Sequence, residues 1–205
     1  MIVNISNKID VYILPIPHND SFKTLFPKER DDEVKSISNL SVKREKYYAW
    51  LLLEHALSKA LGLTIEEAEL FKDENGKWRS PKCELSISHG DTAVAVAISH
   101  APVGIDIEPT DKAIPEGFAK RFLTEDEYSL FLSIDETKKG SFLLTRWCMK
   151  EAIFKKIGNK AFAPSRVSTI GEKVHSKHFC LNGKEYFIAV AHEEGDISFF
   201  EVSLA

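Results

Sequence analysis

Leu51 to Gly62 of this chain lies on Trp147 to Gly158 without a gap, and Ala56, Lys59 and Gly62 then meet Ala152, Lys155 and Gly158. Both stretches read as helices stopped by a glycine, which adopts the left-handed conformation of a helix end at no steric cost. A second echo sets the strand ending in His89, before Gly90-Asp91, beside the strand ending in His192, before Gly195-Asp196. Similarities that recur in the same order predict two related α/β halves. The cleft between such halves is the natural place for a ligand.

Hydrophobic periodicity fills in the elements. Ile9 to Ile16 reads as a strand and Leu25 to Ser38 as a charged helix with Pro27 near its start. Ser41 is the expected N-cap of the helix that runs to Gly62, and Thr64 the cap of a short one. Asp73-Glu74-Asn75-Gly76 is a turn, and Glu84 to His89 and Thr92 to Ser99 form an antiparallel pair joined at Gly90-Asp91. Ala101-Pro102 leads into a strand from Gly104 to Glu108. Helices follow over Pro115 to Phe122, Thr124 to Leu132 and Ser141 to Ile157, then strands over Val167 to Ile170, Phe179 to Leu181, Tyr186 to His192 and Ile197 to Val202.

Composition narrows the class. With 43% hydrophobic and 28% charged residues the chain is ordinary globular material. No window reaches the roughly 18 apolar residues needed to cross a bilayer, and Met1 to Asp10 lacks a basic region followed by an apolar run. Cys83, Cys148 and Cys180 are odd in number with no CxxC pair, which predicts free thiols in the cytoplasm and no zinc site. A net charge of −4 argues against a nucleic-acid binder. Lys43, Arg44 and Lys46, and Lys150, Lys155, Lys156 and Lys160, are local basic clusters or solvated helix faces.

The chemistry concentrates in Val103-Gly104-Ile105-Asp106-Ile107-Glu108. On a strand, Ile105 and Ile107 face one way and Asp106 and Glu108 the other, about 6 to 7 Å apart. That pair fits a solvated acidic face or two ligands of one hard cation. Magnesium takes one or two protein carboxylates and leaves its other positions to water and substrate phosphate, so a cation here implies a phosphate-bearing substrate. On the later helix Glu151 and Lys155 are i,i+4 neighbours, a surface ion pair or part of the same site. Lys150 projects inside the apolar arc, so its ammonium must snorkel, find an anion or face a ligand.

The order Gly76-Lys77, then Ser86-Ile87-Ser88-His89, then Gly104 to Glu108, then Arg121 to Tyr128, then Trp147-Cys148-Met149-Lys150-Glu151-Ala152 resembles the 4′-phosphopantetheinyl transferases of the surfactin-synthetase-activating type. The resemblance is strong over roughly residues 70 to 160 and rests elsewhere on layout. It implies an α+β pseudo-dimer, each half a small antiparallel sheet with a long helix packed on it. Residues 1–102 would contact the coenzyme A nucleotide, residues 103–205 would carry the magnesium site and catalytic helix, and the active site would lie in the cleft between. The implied reaction moves the phosphopantetheine arm of coenzyme A to a serine of an apo acyl or peptidyl carrier protein and releases 3′,5′-ADP. Asp106, Glu108 and Glu151 would bind Mg²⁺, Lys155 would reach the pyrophosphate, and Glu151 would be the base, directly or through a water. Ser88 and His89 would contact the 3′-phosphate end of the nucleotide, and Gly76 and Lys77 the adenine and phosphates. The implied partners are coenzyme A and the carrier protein, with no nucleic acid and no membrane, and the implied state is a monomer.

Departures fall on the nucleotide side. Where the family carries an arginine before the helix's leucine pair, this chain reads Tyr48-Ala49-Trp50, and Arg44 or Lys46 is the expected substitute. Gly90 follows the histidine and Trp78 follows Gly76-Lys77, where Ser or Thr and Pro are usual. Carrier proteins are acidic, so docking calls for a basic patch or an apolar surface, and Phe118, Phe122 and Tyr128 are candidates for the latter unless core packing claims them. Two other readings use the same residues: a magnesium-dependent phosphohydrolase, and a non-catalytic relative that binds coenzyme A or a carrier protein.

Overall fold

The computed structural model describes residues 8–18, 20–90, 92–158 and 161–203; Asp91 of the expected turn and Lys160 of the basic cluster lie outside them. The chain runs β1 (Lys8–Pro15), α1 (Lys28–Ser36), α2 (Leu40–Leu61), β2 (Phe71–Lys72), β3 (Trp78–Arg79), β4 (Glu84–His89) and β5 (Ala93–Ser99). It continues with β6 (Gly104–Pro109), a 3₁₀ turn leading into α3 (Ala119–Phe122), then α4 (Glu125–Ser133), α5 (Glu136–Ile157), β7 (Val174–Leu181), β8 (Lys184–Ala191) and β9 (Asp196–Glu201).

The repeat is carried by backbone as well as side chains. An offset of 96 residues takes Lys8 to Gly104 at the start of β1 and β6, and Leu40 to Glu136 at the start of α2 and α5. The same offset takes Gly62 to Gly158, both left-handed C-caps at φ 70° and 75°. Each half then adds an antiparallel hairpin, so β4-β5-β1 and β7-β8-β6 repeat one order. The α+β architecture of small antiparallel sheets with long helices is therefore present. The second sequence echo pairs the wrong strands, because β4, which ends at His89, corresponds to β7, whereas His192 follows β8.

Side-chain alternation stacks the layers. Val94, Val96 and Ile98 of β5 pack toward α2, while Ala93, Ala95 and Ala97 join Ile9, Val11, Ile13, Ile105, Ile107, Ile188 and Val190 between the two sheets. The small alanines allow sheet to meet sheet. On the far side Cys148, Ala152 and Ile153 of α5 bury against Phe187, Ala189 and Ala191. One strand breaks the symmetry: β9 leaves the second half to pair parallel with β1, from Lys8 opposite Asp196 to Ile13 opposite Glu201. β1 is buried from Ile9 to Leu14, and a buried edge with unpaired backbone groups is costly, so β9 completes it.

Several boundaries differ from expectation for identifiable reasons. Asn39 caps α2, its side chain accepting from the Val42 amide at 3.2 Å, so the helix has already begun at Ser41. Thr64 and Glu67 exchange capping bonds, but around a turn rather than a helix. α5 starts five residues before Ser141, passing through Gly140. Val167 to Ile170 is not a strand, because the buried Lys150 ammonium takes the carbonyls of Pro164 and Val167 while Glu127 takes the Thr169 amide and hydroxyl.

Candidate active site

β6 turns Ile105 and Ile107 toward the inter-sheet core and Asp106 and Glu108 toward α5. The two acids do not emerge into solvent; they are 5% and 9% exposed. Gly104 makes the approach possible. A Cβ there would overlap the Ala152 carbonyl oxygen and the Lys156 amide of α5, so no other residue lets strand and helix lie this close.

The junction of the two sheets lies at the same place. Ser86 and Ser88, two apart on β4, accept hydrogen bonds from the amides of Ile105 (3.1 Å) and Ile107 (3.3 Å). The Ser88 hydroxyl donates to Asp106 Oδ1 at 2.7 Å, and Lys155 Nζ donates to the same oxygen at 2.7 Å and to Ser88 Oγ at 3.1 Å. Asp106, Lys155 and Ser88 thus form one triangle, and Ser88 spends its hydroxyl inside it. Asp106 Oδ2 is buried with no hydrogen-bond partner.

Crowded charge dominates this triangle. Burial raises the Glu108 carboxyl above its usual range, and the Asp106 charge adds to the effect against the opposing Lys112. Glu151 is raised in the same way, by burial and by Asp106 and Glu108, with Lys155 opposing. For Lys155 burial acts downward, but the charge and hydrogen bond of Asp106, with Glu151, prevail and hold its ammonium above the ordinary value.

These residues fit a hard divalent cation in chemistry. Oxygen donors, an orphaned Asp106 oxygen and three mutually repelling carboxylates are what such an ion relieves. Among the described residues they are not gathered into a finished metal cage, because Lys155 holds Asp106 and Lys112 holds Glu108.

Beside the triangle lies a cavity of about 220 Å³ whose walls include Gly76, Lys77, His89 and Lys155. Lys77 Nζ donates to the Lys155 carbonyl at 2.6 Å, and burial, with Arg79, lowers its ammonium to about 8. His89 Nδ1 lies 3.2 Å from Glu45 Oε2. Arg44 does not line the cavity; its Nε bonds Asp20 at 2.7 Å, whereas Lys46 does line it.

Sequence reasoning missed Arg30 and Lys72, which line the same cavity. Arg30 comes from α1, lies 5.1 Å over the Trp50 ring and donates to the Lys46 carbonyl at 2.6 Å. Trp50 packs in turn on Trp78 at 4.7 Å between centroids, so the two tryptophan departures form one platform. Their co-occurrence was the available signal.

Lys150 resolves as a structural residue. Its ammonium meets Glu127 Oε2 at 2.6 Å, and Glu127 also accepts from the Thr124 amide (2.9 Å) and the Thr169 amide (2.8 Å) and hydroxyl (2.6 Å). Burial pushes the Glu127 carboxyl up, but these donors prevail and bring it to about 2. Of the three aromatic candidates for docking, Phe122 belongs to the core with Phe131 and Leu143, Tyr128 is partly buried against it, and Phe118 is 40% exposed.

Residues 102–201 match the family model described as the 4′-phosphopantetheinyl transferase superfamily. The chain is 33% identical over 111 residues to the 4′-phosphopantetheinyl transferase psf-1 of Bacillus pumilus, covering 53% of this chain and 47% of that protein. It is 27% identical over 149 residues to Sfp of Bacillus subtilis, covering 71% and 66%. It is 34% identical over 97 residues to a holo-[acyl-carrier-protein] synthase of Mycoplasma mobile, covering 46% of this chain and 80% of that protein. The chain belongs to the 4′-phosphopantetheinyl transferase superfamily. It spans between about half and two thirds of the length of the two Bacillus proteins. Among the described residues no helix is long and apolar enough to cross a membrane.

Proposed function

We propose that this protein transfers 4′-phosphopantetheine from coenzyme A to a serine of an apo acyl or peptidyl carrier protein, in a Mg²⁺-dependent reaction that releases 3′,5′-ADP. The observation that carries this reading is the Asp106–Lys155–Ser88 triangle beside a cavity walled by lysines. Cations along the cavity suit the phosphates of the nucleotide, and the carboxylates beside it suit the metal that grips a pyrophosphate.

In this reading residues 1–102 hold the nucleotide, residues 103–205 hold the metal and the reacting groups, and the active site is the cleft between them. Asp106, Glu108 and Glu151 hold the magnesium, which when bound supplies positive charge to the pyrophosphate oxygens. Lys155 lies against the same phosphates and offsets the charge that builds on the departing ADP. Gly76 and Lys77 border the nucleotide, His89 meets its phosphate, and Ser88 keeps Asp106 and Lys155 in register. Of the two expected substitutes Lys46 serves and Arg44 does not, and Arg30 joins Lys46 there. The carrier serine Oγ attacks the phosphorus bearing the pantetheine arm, the bond from that phosphorus to the bridging oxygen breaks, and Glu151, directly or through a water, accepts the serine proton. The protein acts in the cytoplasm as a monomer.

The test is to incubate the protein with coenzyme A, Mg²⁺ and apo carrier proteins and weigh the carriers intact by mass spectrometry. A carrier heavier by one phosphopantetheine is the expected result. No gain across several acyl and peptidyl carriers contradicts the reading.

A further inference from the structure

One carboxylate already stands inside the basic cavity. Glu33 of α1 accepts from Arg30 Nη1 and from Lys72 Nζ, each at 3.0 Å, and its other oxygen lies 3.8 Å from Lys46 Nζ. Arg30, Glu33, Lys46 and Lys72 all line the cavity. Three cations from α1, α2 and β2 therefore converge on a single side-chain anion. Two of them rest on the aromatic platform, Arg30 over Trp50 and Lys72 over Trp78, each at 5.1 Å from the ring centroid.

A second cationic group, Lys77 and Lys155, borders the same cavity and leads to Asp106. His89 lines the same cavity as both groups. A cavity with two separated cationic spots fits a ligand with two separated anionic groups. Each spot already faces a carboxylate: Lys155 meets Asp106, a proposed metal ligand, whereas Arg30, Lys46 and Lys72 meet Glu33, which the proposed reaction does not use.

We infer that Glu33 is an internal stand-in for the outer phosphate of the ligand: it holds Arg30, Lys46 and Lys72 in place while the cavity is empty and must be displaced or shared when a 3′-phosphate arrives. The inference rests on the coenzyme A reading and deepens it. Glu33 keeps the cations converged without a ligand, and its like charge sets how much the protein gains from a 3′-phosphate over a plain nucleotide. Its removal leaves an anion site with the same three donors and no competitor.

The test is calorimetric binding of 3′,5′-ADP and of 5′-AMP to wild type, Glu33→Gln and Glu33→Ala. Because a bound 3′-phosphate no longer competes with a carboxylate for the same three cations, both variants are expected to bind 3′,5′-ADP about three- to tenfold more tightly, with 5′-AMP affinity unmoved. Unchanged or weakened 3′,5′-ADP binding in the variants, with wild type binding normally, overturns the stand-in role alone. Equal gains for both nucleotides overturn it as well, because the effect is then not at the 3′-phosphate. Failure of wild type to bind 3′,5′-ADP at all overturns the coenzyme A reading and this inference with it.

Discussion

The Lys150 ammonium and the Glu127 carboxylate meet at 2.6 Å with neither side chain exposed to solvent. Glu127 comes from the Arg121 to Tyr128 motif and Lys150 from the Trp147 to Ala152 motif, and together they explain why a lysine stands inside the apolar arc of α5. Glu127 caps α4 through Thr124, anchors Thr169 and neutralises Lys150, so one carboxylate ties α4, α5 and the loop before β7 together.

Breaking that pair by removing one partner is expected to cost about 3 to 5 kcal/mol, because it leaves a buried charge uncompensated. Urea unfolding of Lys150→Met and Glu127→Gln measures it. A loss below 1 kcal/mol in both variants contradicts the structural role. The double variant is expected to recover part of the loss.

The same carboxylate predicts an acid limb. Glu127 is held at about 2, against about 4.3 for an unfolded glutamate. A depressed carboxyl contributes stability that is fully present above the unfolded value and is lost as pH falls toward the folded one. Thermal melts between pH 5 and pH 2 are expected to lose stability in wild type. Glu127→Gln is expected to lose less over that interval.

Gly104→Ala is expected to push β6 away from α5, because the added methyl meets backbone atoms of Ala152 and Lys156 that cannot swing aside. Overpacking of this kind costs about 1 to 3 kcal/mol. The urea midpoint checks the cost, and transferase activity is expected to fall with it, since Asp106 and Glu108 ride on the same strand.

Ser88→Ala removes the donor to Asp106 and leaves the Ile107 amide without its acceptor. Leaving such buried groups unpaired costs about 1 to 3 kcal/mol. Turnover is expected to fall even where the variant is fully folded, because Asp106 and Lys155 lose their common partner. Steady-state kinetics with coenzyme A below the unfolding range separates the two effects.

Asp106→Asn keeps the shape of the strand and removes the charge that holds Lys155. Transfer activity is expected to drop by about tenfold to a hundredfold while far-ultraviolet circular dichroism stays native. Retained activity removes Asp106 from the metal and phosphate site.

The sequence was most readable where periodicity was strict. The helix echo carried the 96-residue offset that the backbone follows, and Gly62 and Gly158 marked both helix ends. Alternation put Asp106 and Glu108 on one face, but could not tell that α5 would cover that face, since burial there depends on Gly104 and a distant helix. Val167 to Ile170 looked like a strand because its β-branched residues carry that propensity, and a buried lysine over-ruled it by taking the backbone carbonyls. Arg30 stayed hidden because seven of the nine residues of α1 are charged, so nothing local distinguishes the arginine that turns inward.

The most direct test of the central claim is a joint count of products from one reaction of coenzyme A, Mg²⁺ and apo carrier protein. One 3′,5′-ADP per carrier molecule converted, with none formed when the carrier is absent, is the predicted result. Nucleotide or phosphate released without any change in carrier mass would make the protein a hydrolase and contradict the account.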